Sequence, residues 1–154
     1  MFYGIHDYYG EAGIREICHA VKDSSHPFLQ EKAICYIADD FLCCNIVHKG
    51  DFLIPAPNHL GRAVYTKMIA EIVSSYTGAL LCDILCCLPH KPLYFQKLHH
   101  HDDIDLFLYL SRPAPEGGRL FFVDNVIDTG TTFLKANKLF HGHLHPLIFA
   151  EHRK

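Results

Sequence analysis

A stretch of thirteen residues, 120–132, limits what this chain can fold into more than any other feature of its sequence. Residues 120–123 are apolar without interruption, which is typical of a buried strand. Asp124 ends that run at the predicted carboxyl end of the strand, and a hydroxyl-rich turn at 129–132 and a predicted helix over 133–140 follow. Glycine in the turn permits a tight bend, and backbone N–H groups at a helix start attract anions. This order of elements therefore predicts a phosphate site.

The segment resembles the motif with which type I phosphoribosyltransferases bind phosphoribosyl pyrophosphate (PRPP). That motif is an apolar strand, two acidic residues, an apolar spacer, then Thr-Gly and a Thr or Ser. The resemblance covers residues 120–132 and departs from the family at Asn125, where a second carboxylate is usual. It implies an α/β fold of the Rossmann-like kind, with one parallel sheet and flanking helices. It also implies an enzyme that transfers ribose 5-phosphate from PRPP, accompanied by Mg²⁺, to a nitrogen base with release of pyrophosphate.

The same resemblance implies a role for each matching residue. Asp124 would hydrogen-bond one ribose hydroxyl, and Asn125 would hold the other through its amide. An amide can bond a hydroxyl, but Asn125 removes one negative charge near the Mg²⁺. The residues implied to surround the 5′-phosphate are Asp128, Thr129, Gly130, Thr131 and Thr132.

Asp128 has two interpretations. Family members that use purines of the hypoxanthine–guanine type often have Asp at this position as a general base, whereas others have Ala or Thr and still react. A placed carboxylate contributes about 10²–10⁴-fold to rate through proton transfer. Alternatively, Asp128 caps the helix that follows. The sequence leaves both open.

A second predicted site follows a short strand over 51–57. The segment resembles the pyrophosphate-binding loop of the competence-associated members of the family, and Arg62 offers a planar fork of donors to pyrophosphate. A plain strand–loop–helix link with a surface arginine is the alternative. The resemblance implies that Arg62 is assisted by Pro57, Asn58, His59 and Gly61.

Residues 88–103 are polar and contain two prolines, and we predict a long loop there. In the resembling family a loop at this place closes over PRPP and excludes water. Lys91 and Lys97 would then reach phosphate oxygens. A solvated loop with incidental charges is the alternative.

We predict one domain over residues 1–154, in which 1–50 form a helical hood over the base and 51–154 form the core. Four tyrosines of the hood either stack on a flat base or serve as ordinary core and surface residues: Tyr3, Tyr8, Tyr9 and Tyr36. Ser24 or Ser25 is the predicted cap of the second helix. Strands alternating with helices favour a parallel sheet. The predicted helices are 11–22, 28–44, 63–75 and 133–140, and the predicted strands are 51–57, 79–87, 104–111, 120–123 and 145–150.

Composition narrows the class of protein. A net charge of −3 gives no basic surface for nucleic acid, and no apolar run reaches the length of a membrane span. Residues 1–10 lack the pattern of a signal peptide. The seven cysteines contain no CxxC pair and mostly lie in apolar runs, so we predict buried, reduced thiols in a cytoplasmic protein. The alternating histidines of 141–145 are interpreted as polar loop residues, with a metal site as the alternative.

Two functions from different classes remain open. The first is a phosphoribosyltransferase that acts on a nitrogen base, for which a purine is one candidate. The second is a regulatory protein of the same fold that binds PRPP or a nucleotide with little or no catalysis. Asn125 favours the second function, whereas Asp128 and Arg62 favour the first. A homodimer is expected by analogy with the family alone.

Overall fold

The computed structural model describes residues 3–91 and 106–153. Within these ranges the chain forms four helices and seven strands. The helices are α1 (Ile14–Ala20), α2 (Pro27–Cys43), α3 (Tyr65–Thr77) and α4 (Thr131–Leu139). The strands are β1 (Gly4–Asp7), β2 (Phe52–Pro55), β3 (Leu80–Leu81), β4 (Leu85–Cys87), β5 (Leu108–Leu110), β6 (Leu120–Ile127) and β7 (Leu144–Glu151).

Five of these strands form one parallel sheet in the order β1-β7-β6-β2-β3. The predicted α/β class, with a parallel sheet and flanking helices, is confirmed and is consistent with a Rossmann-like arrangement. Residues 120–132 are called the anion motif below, and their strand, β6, lies at the centre of the sheet between β7 and β2. All its neighbours run parallel to it, so the carboxyl ends of β2, β6 and β7 meet at one edge, where such sheets bind ligands.

Alternation along β6 supplies a core to both faces of the sheet. Phe121 and Val123 pack beneath α1, α2 and α3, in a buried cluster that includes Ile37. Leu120 and Phe122 face the opposite side, towards α4 and the β4–β5 pair. Successive side chains of a strand point to opposite faces, and a central strand buries both, which explains the uninterrupted apolar run.

The motif strand is longer than predicted. Pairing of β6 with β7 continues past Val123 through Asp124↔Ile148 to Ile127↔Glu151. The prediction that Asp124 stands at the carboxyl end of the strand is therefore wrong, because the register with β7 holds the backbone extended for four more residues. Asp124 lies inside the strand, and the turn begins only after Ile127.

The predicted strand over 79–87 is also corrected. It is two strands, β3 in the parallel sheet and β4 in a small antiparallel pair with β5. Between them Asp83 lies 3.5 Å from Lys67 of α3, and Ser111 donates its backbone N–H to Ile84. Apolar content shows that a run is buried but not in which sheet. The predicted strand over 104–111 is shorter, Leu108–Leu110, and its first two residues lie outside the described ranges.

Helix α2 begins differently from its prediction. Its N-cap is His26, without a side-chain cap bond, and Pro27 takes the first helical position. Proline there needs no N–H acceptor and restricts the residue before it, so neither Ser24 nor Ser25 reaches the cap. The hydroxyl of Ser25 donates to Asp23 instead.

Residues 1–50 contribute more than helices. The strand β1 pairs in parallel with β7 at the edge of the sheet, and α2 packs against α3 and β7. Gly4 permits this close pairing, since a Cβ there would lie 2.7 Å from the backbone of Ala150. The division into a hood at 1–50 and a core at 51–154 stays a prediction.

The cysteine prediction needs correction in one respect. All seven thiols are free, but only Cys18 and Cys87 are buried, whereas Cys35, Cys43 and Cys44 are exposed. The latter three lie on α2 or directly after it, on the surface away from the sheet. Nowhere in the described ranges is there a helix with the length and apolarity to cross a membrane.

Candidate functional site

A cavity of about 300 Å³ lies where β6 and β7 end. Six of the predicted residues line it, and they are those of the anion motif: Asp124, Asp128, Thr129, Gly130, Thr131 and Thr132. Phe122, Val126, Ile127 and Phe133 add apolar wall. The structure thus brings a carboxylate of the strand and the hydroxyl-rich turn to one concave surface.

The turn between β6 and α4 is shaped by Gly130. This glycine is the N-cap of α4 and has a φ of 81°, a left-handed conformation that side chains rarely adopt. A Cβ at Gly130 would meet its nearest neighbour, Ile127 Cδ1, at an ordinary 3.5 Å, so conformation rather than space selects glycine. The hydroxyls of Thr129 and Thr131 lie 2.8 Å apart. Among the residues that the structure describes, no side-chain cap bond engages the start of α4, so its first N–H groups can face an anion beside the cavity.

Asp124 is a half-buried carboxylate in the cavity wall. Its Oδ1 accepts the backbone N–H of Asn125 at 2.8 Å. Burial raises the pKa of Asp124 to about 6, while the Asn125 N–H and the positive charge of Lys22 act to lower it. Asp124 therefore titrates near neutral pH, and it can accept or donate a hydrogen bond to a sugar hydroxyl. Burial also raises the pKa of the neighbouring Cys18 thiol to about 12, which keeps that thiol protonated.

Asn125 is not brought to the cavity. It is 1% exposed, and its amide nitrogen lies 3.5 Å from the Cys18 carbonyl of α1. Consecutive strand residues face opposite sides of the sheet, so Asn125 points into the core beneath α1 when Asp124 faces the cavity. The predicted sharing of one ribose between Asp124 and Asn125 gains no support from this geometry.

Asp128 does not cap α4. The N-cap is Gly130, and the Asp128 carboxylate instead makes a 2.9 Å hydrogen bond with Nδ1 of His152. The capping interpretation is wrong because the chain makes its turn at Thr129 and Gly130 before the helix starts. The general-base interpretation stays a prediction, now with a defined partner.

Four further side chains line the cavity that the motif did not identify: Tyr8, His19, Lys22 and His152. The hydroxyl of Tyr8 lies 3.1 Å from Nε2 of His19, and the rings of Tyr8 and His152 lie 4.3 Å apart. Lys22 follows α1, and His152 follows β7. Tyr8 is one of the four candidate tyrosines, whereas no local pattern marks His19, Lys22 or His152, because only the sheet order brings α1 and β7 to this corner.

The four candidate tyrosines divide into two groups. Tyr8 lines the cavity, and Tyr9 contacts both Tyr8 and His152 at its edge, with ring centroids 4.9 and 5.0 Å away. Tyr3 packs on Phe133, and Tyr36 packs edge-on to Phe149 on the other face of the sheet. Tyr3 and Tyr36 are therefore packing residues, and Tyr8 and Tyr9 remain candidates for stacking.

The second predicted site, at 57–62, lies at the same sheet edge but does not line this cavity. The Ala56 N–H donates to the Val123 carbonyl at 2.9 Å, so the loop leaves β2 beside β6. The loop closes on itself through the Asn58 N–H and the Arg62 carbonyl, 2.9 Å apart. The Cys87 N–H then ties Gly61 to β4. Pro57 and Asn58 are partly buried, whereas His59 and Arg62 are exposed to solvent.

Residues 92–103 of the predicted closing loop lie outside the described residues. Lys91 is exposed at the end of the first described range, and Lys97 lies outside the described residues.

Over residues 3–91 and 106–153, no group of three or more His, Cys, Asp or Glu side chains is arranged to hold a metal ion. His145, one of the alternating histidines, is an exposed residue of β7.

We compared the chain with models of known families and with curated proteins, and neither comparison gave a match. The function must therefore be inferred from the cavity and its surroundings.

Proposed function

We propose that this chain is a phosphoribosyltransferase of the type I fold, which transfers ribose 5-phosphate from PRPP to a nitrogen base and releases pyrophosphate. One observation carries the proposal. The cavity at the carboxyl ends of β6 and β7 joins the Asp124 carboxylate with the 129–132 turn at the start of α4. Sugar hydroxyls and a phosphate need these two kinds of group side by side.

The 5′-phosphate would bind at the turn. Backbone N–H groups at the start of α4 and the hydroxyls of Thr129, Thr131 and Thr132 supply donors, and Lys22 adds a positive charge from the opposite wall. Asp124 would bond a ribose hydroxyl. Its raised pKa makes this contact depend on pH near neutrality.

In the proposed reaction a ring nitrogen of the base forms a bond to C1 of the ribose. The bond from C1 to the pyrophosphate oxygen breaks, and its electron pair leaves with pyrophosphate. Asp128 accepts the proton that the nitrogen base of the substrate loses. Mg²⁺ brought by PRPP would supply positive charge to the leaving pyrophosphate. This fits the cavity, since Mg²⁺ in such sites takes most of its ligands from substrate phosphates and water and few from carboxylates.

The loop at 57–62 would contribute to pyrophosphate binding. Arg62 is exposed and lies on a loop that follows β2, the neighbour of β6. Arg62 therefore lies at the same edge of the sheet as the turn at 129–132. Lys91 and Lys97 are proposed to act from the segment after β4.

One observation favours the second function, a regulatory protein that binds PRPP or a nucleotide with little catalysis. Asn125 is buried against α1, so at positions 124 and 125, where the family usually has two acidic residues, Asp124 alone brings a carboxylate to the cavity. Binding needs only Asp124 and the turn.

We further propose a reducing, cytoplasmic environment, which suits seven free thiols, and a homodimer by analogy with the family.

Calorimetry with PRPP and Mg²⁺, followed by turnover with a panel of purines and pyrimidines, tests the proposal. Binding with turnover of any base supports the transferase. Binding without turnover supports the regulatory protein. Failure to bind PRPP or any nucleoside monophosphate at millimolar concentration would overturn both.

A further inference from the structure

His152 is held beside Asp128 at two points. The backbone N–H of His152 donates to the Ile127 carbonyl at 3.0 Å, one residue before Asp128. The side chains meet as well, with Nδ1 of His152 2.9 Å from Oδ1 of Asp128. Because His152 follows β7 and Asp128 follows β6, the pairing of the two central strands fixes both ends of this contact.

Two tyrosines of the segment after β1 restrict the His152 ring further. The ring centroid of His152 lies 4.3 Å from that of Tyr8 and 5.0 Å from that of Tyr9. The imidazole is 18% exposed, and both it and Asp128 line the cavity. A ring fixed by its backbone, by stacking and by a carboxylate keeps one orientation, and the carboxylate partner keeps one oxygen engaged.

We propose that His152 is a positioning residue for Asp128, and that the two side chains act as one proton-transfer pair in the cavity. The inference rests on the proposed function for its catalytic part, and on geometry alone for the pair. Nδ1 of His152 donates to Oδ1 of Asp128, and both side chains line the cavity that the ligand would enter. The N–H of the nitrogen base passes its proton to the Asp128 carboxylate as its nitrogen bonds to C1 and pyrophosphate leaves C1. The pair then releases the proton to water.

The charge of His152 sets how strongly the Asp128 carboxylate binds a proton. When the ring is an imidazolium, its positive charge stabilises the Asp128 carboxylate and weakens it as a base. When the ring is neutral, Nδ1–H still donates but the charge is gone. Turnover should therefore rise with pH through the titration of His152. The other ionisable groups beside the ring are Tyr8 and Tyr9, with His19 and Lys22 on the same cavity and Glu151 and Arg153 adjacent in the chain.

The pair is tested without any ligand by NMR titration of His152 in the full-length protein. Asp128→Asn should move the His152 midpoint about one pH unit lower, because a neighbouring negative charge is lost. Asp23→Asn is the matched control, since it removes the carboxylate 2.8 Å from exposed His26 and should leave His152 unchanged. An unchanged His152 midpoint in Asp128→Asn would overturn the pair.

The catalytic part is tested by pH–rate profiles of two His152 variants. His152→Ala should lower kcat about tenfold with KM for PRPP nearly unchanged, because the Asp128 carboxylate is no longer held in position. His152→Asn should recover most of kcat, since its amide can donate near the Nδ1 position, but should lack the pH limb assigned to His152. If both variants had the kcat of the wild type and the same rise of turnover with pH, the positioning role would be overturned. If the wild type turns over no base, the transferase fails, whereas the NMR titration still decides the pair.

Discussion

The turn at 128–132 and the loop at 57–62 follow two neighbouring parallel strands, β6 and β2, yet their backbones are used in opposite ways. In the turn, α4 starts directly after Gly130, so the first N–H groups of the helix adjoin the cavity. In the loop, the N–H groups of Asn58, Leu60 and Gly61 already donate to oxygens of Asn58 and Arg62, at 2.9 to 3.0 Å. The turn therefore offers N–H groups of a helix start to an anion, whereas three N–H groups of the loop are engaged within it, and side chains such as Arg62 are its main donors.

The glycines of the two segments serve different needs. Gly130 supplies a left-handed conformation at a place where an added Cβ would make only an ordinary contact, 3.5 Å from Ile127 Cδ1. Gly61 also has a positive φ, 117°, but a Cβ there would lie 2.8 Å from the Cys87 carbonyl. One glycine shapes a site that faces solvent, and the other lets the loop pack closely on β4. The same positive φ therefore serves the shape of the turn at Gly130 and close packing at Gly61.

The largest expected effect is that of Gly130→Val, which should abolish the thermal stabilisation by PRPP or a nucleoside monophosphate. A ligand at about 100 times its dissociation constant stabilises the folded state by roughly 2.7 kcal/mol. A β-branched residue disfavours the left-handed turn and obstructs the phosphate. The control is Gly142→Val, at a similar φ of 82° in open space away from the cavity. Equal stabilisation by ligand in the two variants would remove the turn from the site.

Asp128→Asn should lower the chemical rate by about 10²-fold or more while leaving PRPP affinity nearly unchanged. The reason is that an amide cannot accept the proton of the base. Single-turnover kinetics and calorimetry on the same preparation measure the two quantities. An unaltered chemical rate would exclude Asp128 as the general base, since its capping role is already excluded.

Asp124→Asn should stabilise the ligand-free protein and weaken ligand binding. Burial raises the pKa of Asp124 from 3.8 to about 6, so the folded state favours the neutral acid. The cost of the charge begins as pH rises above 3.8 and is complete above about 6, where it amounts to about 3 kcal/mol. The variant should therefore melt higher than wild type near pH 8 and equally near pH 4.

Asp51→Asn is the control of opposite sign for that experiment. Asp51 is buried too, but hydrogen bonds from Arg119 and the His48 N–H hold the pKa of Asp51 below its usual value despite burial. Its charge contributes stability above pH 3.8, so Asp51→Asn should destabilise the protein near neutral pH. If both variants shifted the melting temperature in the same direction, the burial cost assigned to Asp124 would be wrong.

Gly61→Ala should destabilise the protein by about 2 kcal/mol without changing its affinity for a nucleoside monophosphate. The added Cβ would press on the Cys87 carbonyl and would have to adopt a φ that L-residues avoid. Chemical denaturation measures the first quantity and calorimetry the second. A loss of monophosphate affinity comparable to that of Gly130→Val would show that the two segments form one site.

Arg62→Ala is expected to have the smallest effect, about a tenfold loss of affinity for PRPP, with nucleoside monophosphate binding unchanged. Arg62 is exposed, and it would contact only the pyrophosphate. Arg112→Ala, another exposed arginine, is the control. Equal losses for PRPP and the monophosphate would place Arg62 at the 5′-phosphate instead of the pyrophosphate.

Several local features followed from the sequence. The order of strand, turn and helix over 120–140 was correct, and so was the helix α3, which stops at Gly78 in a left-handed conformation. The sequence did not reveal where β6 ends, since that depends on its register with β7. It also missed the split of 79–87, because both halves are equally apolar although they join different sheets.

By itself, the sequence determined the α/β class and the shape of the anion turn, because a glycine's conformational freedom and a helix's unpaired N–H groups depend on residues close in the chain. Only the tertiary structure decided that Asp124 faces the cavity while Asn125 faces the core, and that Asp128 meets His152. Those outcomes depend on strand register and on contacts between residues 24 or more positions apart. Such contacts are set by the packing of the whole sheet, which no short stretch of sequence encodes.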